Sequence, residues 1–413
     1  MTDCVIIDAC RTPFAKSDGV YKKLTAVDLG IRTATALMER VPLNPDQLDG
    51  IIAGNVGSPC DAANIARVMG LFAGFPEALP AHTVARNCAS GIEAVTTAVE
   101  KIRAGSGDVY LAITTESMTQ YPLIMGPQLT AFFKKLGKAR SPMAKLKLIS
   151  TFRPSFLKPR IALLEGLKDP TNEMLMGSTA DLIARDYDIT REEQDAYALR
   201  SHQLGAAAVS EGRFAEEIDP FVITSRRGET VIDTDDHIRP ETTIEGLAKL
   251  RAAFGKDGTV TAGNASGIVD GAAAVIVTTA DRAKADSLDV MARIKSWAYV
   301  GVDPTEMGIG PVPAIRSCLE RAGVAIGDVD YFEINEAFSA QYLGCEKDLG
   351  LDRDKCNVNG GAISLGHPLG ATGTRLILTL MYQLRRSGKR YGVGSACIGG
   401  GQGIAMLIEN PQA

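Results

Sequence analysis

An offset of 281 residues brings the two ends of this 413-residue chain into register. Asp49 and Asp330 stand that far apart, each just before an apolar, strand-like run. Ser106-Gly107-Asp108-Val109-Tyr110 meets Ser387-Gly388-Lys389-Arg390-Tyr391 at the same offset. The order of elements agrees. Apolar spacing and turn residues predict strands at 4–9, 49–56 and 109–114, a strand running into Cys88, and helices at 24–37, 64–71 and 92–104. Beyond residue 290 the pattern returns, with strands at 291–300, 330–335, 391–396 and 404–408 and helices at 313–322 and 374–386. Alternating strands and helices make an α/β fold. The repeat predicts two copies of one α/β unit about a pseudo-twofold axis. Residues 1–117 and 253–284 are read as the N-terminal half, 118–252 as an inserted domain, and 285–413 as the C-terminal half.

The insert carries an uneven charge. From Ala131 to Arg160 there are nine Lys/Arg residues and no Asp or Glu, interleaved with Phe132, Phe133, Phe152 and Phe156. One reading is a solvated basic face on a helical excursion. The other is a patch for the phosphates of a ligand or for peripheral contact with an anionic membrane. The whole chain has net charge −5, so its bulk electrostatics do not point to nucleic acid. Further on, Thr190 and Glu193 have capping-box spacing at the start of a helix.

Eight cysteines without a CxxC pair read as free thiols of a reducing compartment. The first residues run into an apolar strand with no charged leader, and no apolar run reaches the length of a membrane span. The expectation is a cytoplasmic protein. No His/Cys cluster has zinc spacing and no Walker-type loop is present, so no metal site and no permanently bound cofactor is expected.

Four stretches carry candidate chemistry. Cys88, in Arg86-Asn87-Cys88-Ala89-Ser90-Gly91, falls where a strand hands over to a helix. Unpaired N–H groups and the helix dipole there favour a thiolate, so Cys88 is a candidate nucleophile. A buried core thiol is the competing reading. His367 is enclosed by glycines in Asn359–Gly373, where backbone can approach a ligand, and the 281 offset carries Cys88 to Leu369 beside it. Such a histidine could deprotonate Cys88 or donate to an oxyanion. Cys397 ends an apolar strand before Gly399-Gly400-Gly401, suiting an acid/base close to a carbon centre. Asn335 follows the strand at Tyr331–Ile334 and could hold a water or a carbonyl oxygen.

Together with TAGNASG at 261–267, these motifs resemble the thiolase family over essentially the whole chain: RNCASG, NEAF, GGAISLGHPLGATG and CIGGGQG in the family's order. The resemblance implies a duplicated thiolase fold with a five-layered αβαβα core and an inserted loop domain. It implies acyl transfer between coenzyme A thioesters, with coenzyme A as co-substrate. By motif, Cys88 would carry the acyl group, His367 would activate it, and Cys397 would be the acid/base at the acetyl-CoA carbon. His367 and Asn335, through a water, would form one oxyanion hole, and the N–H groups of Cys88 and Gly399 the other. Ser266 would contact the pantetheine. Leu175-Met176-Gly177 stands where short-chain biosynthetic thiolases have His-Met-Gly, which places Met176 at the pocket.

The insert resembles that of thiolase subunits of trifunctional fatty-acid oxidation complexes. That implies thiolytic cleavage of longer 3-ketoacyl-CoA, a homodimer or homotetramer, and a hydratase/dehydrogenase subunit as a partner. The alternatives are a short-chain acetoacetyl-CoA thiolase working towards condensation, a β-ketoacyl synthase-like enzyme, and a non-catalytic acyl-CoA-binding scaffold. The second cysteine, Cys397, argues against the synthase, and the presence of Cys88, His367 and Cys397 together argues against the scaffold.

Overall fold

A computed structural model describes residues 2–225 and 228–413; positions 226 and 227 of the insert lie outside the described residues. The N-terminal half contains strands β1 (Cys4–Arg11), β2 (Gly50–Gly54), β3 (Ala81–Val84), β4 (Val109–Glu116) and β5 (Val269–Thr279). The C-terminal half contains β6 (Ala292–Gly301), β7 (Tyr331–Ile334), β8 (Tyr391–Ile398) and β9 (Gln402–Glu409). Their spatial order is β3-β2-β4-β5-β1-β6-β9-β8-β7. The two half-sheets meet antiparallel at Val5–Arg293 and Ile6–Ala292. In each half the two strands nearest that junction run antiparallel to each other, and the next two are parallel.

Helices α1 (Ser90–Arg103) and α2 (Leu369–Ser387) pack against each other between the two half-sheets. Helices at Ala26–Arg40 and Pro311–Ala322 cover the outer faces. This is the five-layered αβαβα arrangement. It needs strands that are apolar on both faces, because each face meets a separate core. Strand β1 shows how: Cys4 and Ile6 point to the central core with Ile92 and Leu376, while Val5 and Ile7 point to the outer core with Leu37. Strand β9 alternates in the same way, Ile404 and Met406 inward, Ala405 and Leu407 outward.

The repeat has a physical origin. Asp49 Oδ2 accepts from the backbone N–H of Asp108 (2.7 Å) and Val109 (2.9 Å) at the start of β4. Asp330 Oδ2 accepts from Arg390 (2.9 Å) and Tyr391 (3.0 Å) at the start of β8. The donors are shifted by one residue relative to the 281 offset. Gly91 and Gly373 show the same one-residue slip, and they meet each other where α1 and α2 cross. A Cβ on Gly91 would lie 2.4 Å from the Thr374 nitrogen, and one on Gly373 2.5 Å from the Ile92 nitrogen. The two central helices touch through backbone, which leaves no room for a side chain.

Two differences from the sequence reading stand out. Strand β5 was not anticipated. All eleven of its residues are buried; Val275-Ile276-Val277-Thr278-Thr279 is a β-branched run of the kind that marks a strand, while Gly271-Ala272-Ala273-Ala274 before it has neither alternation nor β-branching. Helix α2 starts at Leu369 rather than near 374, because Gly370 and Gly373 interrupt the apolar period. The helices at Arg191–Ser210, with its Thr190–Glu193 capping box, and Met176–Asp186 are present. The insert's basic stretch forms helices Pro127–Lys138 and Pro142–Ile149 around Phe132, Phe152 and Phe156, whose ring centroids lie 5.3–6.4 Å apart. Buried Arg11 ties the insert to β1 through Glu217 (2.8 Å) and Asp235 (2.7 Å).

Candidate active site

Cys88 sits in the turn between β3 and α1. Asn87 takes a left-handed conformation (φ +45°), which asparagine tolerates better than most residues. Its side-chain amide donates to the Gly399 carbonyl (2.8 Å), tying this turn to the one that follows Cys397. Ser90 Oγ accepts from the Arg86 N–H (2.9 Å) and donates to the Asn87 carbonyl (2.8 Å). The turn is thus closed on itself and anchored to the other half. The backbone N–H groups of Gly399 and of Cys88 itself favour a negative charge at the Cys88 sulfur.

The charge state of Cys88 corrects the positional expectation. Burial pushes its thiol up to about 11, against the lowering pull of the two N–H groups, and the Glu116 carboxylate pushes it further up. Although the residue as a whole is half-buried, its sulfur is closely surrounded. A helix N-terminus contributes about 1–2 kcal/mol at best. Desolvation of a buried anion outweighs that. Cys88 rests as a neutral thiol.

His367 is buried one residue before the cap of α2. Its Nδ1 lies 2.6 Å from Thr372 Oγ1, and that hydroxyl donates to the Pro368 carbonyl (3.0 Å). A hydroxyl has a single proton, so this network assigns the hydrogen to His367 Nδ1 and leaves Nε2 as an acceptor. Burial, with Arg375 nearby, lowers its pKa to about 3, so the ring is neutral. Nε2 faces the side-chain amide of Asn335 at 3.4 Å. Asn335 follows β7, bonds Ser395 through its backbone N–H (2.9 Å), and is fully buried with no partner for Oδ1 among the described residues.

Cys397 is fully buried in β8. Burial holds its thiol well above the ordinary range, and Cys88 and Cys345 push the same way. The two thiols of interest therefore feel each other. Gly399 borders Met176: a Cβ there would lie 3.2 Å from its Sδ, a tight contact that a small shift of the flexible thioether relieves. Met176, Ser266 and His367 line one mostly apolar cavity of about 130 Å³, walled also by Leu167, Phe254 and Phe338. All seven residues singled out in the sequence thus converge on one region. A larger cleft, about 750 Å³, is lined by Asp8, Arg40, Tyr382 and Arg385 and contains none of them. Its arginines are already paired, Arg40 with Asp8 (3.0 Å) and Arg385 with Asp289 (2.8 Å).

Three polar residues escaped the sequence reading. Thr372 orients His367. Glu336 is turned away from the cavity and buried, accepting from Tyr197 (2.7 Å), Ser201 (2.7 Å), Asn357 (3.0 Å) and the Ile363 N–H (3.1 Å), so it holds the 357–363 loop. Glu116 ends β4 inside the core. Ser-Met follows Glu116 in the chain, and nothing local in that stretch signals a site.

The comparisons with known proteins agree with this fold. The family described as "Thiolase, N-terminal domain" matches residues 4–281, and "Thiolase, C-terminal domain" matches 288–410. The mitochondrial 3-ketoacyl-CoA thiolase of Homo sapiens is 43% identical over 406 residues, 98% of each chain. The beta-ketoadipyl-CoA thiolase of Pseudomonas putida is 44% identical over 415 residues, 99% of this chain and 100% of its own. Among solved structures, human mitochondrial 3-ketoacyl-CoA thiolase in complex with CoA superposes with TM-score 0.89 at 40% identity, covering 99% of this chain and 98% of its own. The Bacillus anthracis acetyl-CoA acetyltransferase superposes with TM-score 0.91 at 39% identity, covering 99% of both. The fold and these relatives define an acyltransferase. The chain belongs to the thiolase family.

Proposed function

We propose that this thiolase cleaves 3-ketoacyl-CoA with coenzyme A as co-substrate, giving acetyl-CoA and a shortened acyl-CoA, by way of an acyl group on Cys88. The observation that carries this reading is the pairing of two thiols, Cys88 and Cys397, close enough that Cys88 raises the pKa of Cys397, beside a neutral His367 whose Nε2 is left as an acceptor next to the Asn335 amide. His367 Nε2 takes the Cys88 proton as sulfur attacks the 3-keto carbon. The N–H groups of Cys88 and Gly399 are the donors for the oxygen that becomes negative there. Breaking the C2–C3 bond leaves its electron pair on the acetyl-CoA carbon, as an enolate whose oxygen faces His367 and the water held by Asn335. Cys397 protonates that carbon and becomes the thiolate. The incoming coenzyme A thiol then gives its proton to Cys397 and its sulfur to the acyl group, and Cys88 recovers its proton from His367. Two separate donor pairs are needed because charge develops on two oxygens, and losing one such donor costs about 3–4 kcal/mol. Ser266 and Met176 contact the pantetheine arm in the shared cavity.

The substrate reading is a 3-ketoacyl chain longer than four carbons. Leu175 in place of histidine supports it, as does the length of the insert. Among relatives, one is named for 3-ketoacyl-CoA and another for beta-ketoadipyl-CoA. Steady-state rates on 3-ketoacyl-CoA of roughly four to sixteen carbons should give kcat/KM rising by about tenfold or more beyond four, since each buried methylene adds about 0.8 kcal/mol. A maximum at acetoacetyl-CoA would instead favour the short-chain enzyme.

The insert supports a second partner, an anionic membrane surface contacted peripherally. Ten of the twenty large hydrophobic side chains most exposed on the described residues lie between Leu123 and Leu164, Met143 at 75% and Leu146 at 63% among them. Of the nine cations at 131–160, Arg160 alone has an ion-pair partner among the described residues, Glu165 at 2.5 Å. No helix among those residues is long and apolar enough to cross a membrane. Replacing Lys134, Lys135, Lys138 and Arg140 with glutamine should weaken binding to phosphatidylserine vesicles by roughly a hundredfold or more, since each basic residue near such a surface contributes about 1 kcal/mol. Raised salt should weaken the native protein likewise. Absence of vesicle binding by the native chain would return this segment to a solvated basic face. The eight cysteines are free, which supports a reducing compartment, the cytoplasm. Family resemblance supports a homodimer or homotetramer, alone or with a hydratase/dehydrogenase subunit, and the mass of the purified protein in solution decides between them.

A further inference from the structure

Glu116 is a fully buried carboxylate that the reaction above does not use. Five donors from three separate segments converge on it. Oε1 accepts from the Gly57 N–H (2.9 Å), Asn55 Nδ2 (3.2 Å) and the Tyr121 hydroxyl (3.0 Å). Oε2 accepts from the Val56 N–H (3.0 Å) and the Gly370 N–H (2.9 Å). The last bond joins the two halves of the fold. Gly370 is the second residue of α2 and lies three positions after His367. Its N–H is one of the donors that a helix start leaves without an intrahelical partner, and Pro368, the cap, has no side-chain acceptor to offer. Glu116 supplies that acceptor from the other half, 254 residues away. The fit excludes anything larger than glycine: a Cβ on Gly370 would lie 2.6 Å from the Thr115 carbonyl oxygen and 2.9 Å from Glu116 Oε2.

The charge has a second effect. The N-terminus of a 19-residue helix presents partial positive charge. The Glu116 carboxylate meets that positive end directly, through the Gly370 N–H.

We infer that Glu116 is a positioning residue: it binds the turn carrying His367 to the half of the fold carrying Cys88. This rests on Cys88 being the nucleophile. The groups that face the carboxylate are Tyr121, the three backbone N–H groups, Asn55 and, through space, Cys88.

The test is Glu116→Gln, isosteric and uncharged, with two readouts. The pH dependence of iodoacetamide alkylation is followed at Cys88 itself by peptide mass, and kcat and KM are measured separately. The half-point of alkylation should move to lower pH by about half a unit to one unit, since a like charge near a titrating acid raises its pKa. The value of kcat should fall about tenfold or more, with KM within about twofold, because His367 loses its anchor rather than the substrate its pocket. An unchanged kcat, or a fall in kcat matched by a rise in KM, overturns the proposal. If the glutamine variant does not fold, Tyr121→Phe keeps the carboxylate but removes one donor. It should lower kcat about threefold at constant KM, and wild-type kcat would overturn the proposal. Alkylation needs no turnover, so these outcomes stay separate from the nucleophile assignment, which Cys88→Ala tests.

Discussion

Cys88→Ala should abolish formation of an acyl-enzyme and lower turnover by roughly 10⁴-fold or more, the scale of losing a covalent nucleophile. The measurement is transfer of label from radioactive acyl-CoA to denatured protein, with turnover recorded in parallel. Label that persists in the variant would place the nucleophile elsewhere. The fold should survive the change, because the Cys88 side chain anchors nothing: Asn87 and Ser90 hold the turn. The same physics predicts slow alkylation of the free enzyme. With a thiol near 11, about one Cys88 in a thousand is a thiolate at about pH 8. Acyl-CoA should label Cys88 far faster than its alkylation rate suggests, since His367 takes the proton only as sulfur attacks.

Cys397→Ala should divide the reaction in two. The variant should still accept an acyl group on Cys88, because Cys88, His367 and the two N–H donors are untouched. It should fail to exchange the α-protons of acetyl-CoA with deuterated water, with a loss on the order of 10²–10⁴-fold, the usual contribution of a positioned acid/base. Normal exchange would remove Cys397 from the acid/base role. The burial of its thiol, well above the ordinary range, fits this division. A group that must take a proton from carbon has to be a strong base once ionised, and desolvation makes it one.

Much of the architecture was legible because its causes are local or periodic. Asp49 and Asp330 each accept from the start of a neighbouring strand about sixty residues further on, so the same residue type recurs in both halves. The Cys88, His367 and Cys397 turns show themselves by small residues and glycines, which a tight backbone path requires wherever it occurs. Strand β5 was legible only in its β-branched end, Val275–Thr279. Its small apolar residues make sense only between two cores, and those cores are assembled from elements on both sides of the insert. Glu336 looked like part of a site motif and proved to be a buried brace, a role set by Tyr197 and Ser201 far earlier in the chain. Thr372 and Glu116 carried no signal, since a threonine in a helix and a glutamate after a strand are ordinary in isolation.

By itself, then, the amino-acid order determined the layered α/β plan and the family, and it singled out the candidate reactive side chains. It did not determine their charge states. The Cys88 position reads as thiolate-forming from its helix start alone, and the folded chain makes it a neutral thiol beside a neutral His367. The reason is that a pKa responds to everything packed within a few ångströms, while sequence motifs report only covalent neighbours. Desolvation by the second half, the Gly399 N–H, and a glutamate reaching a helix start 254 residues away exist only once the halves have closed on each other.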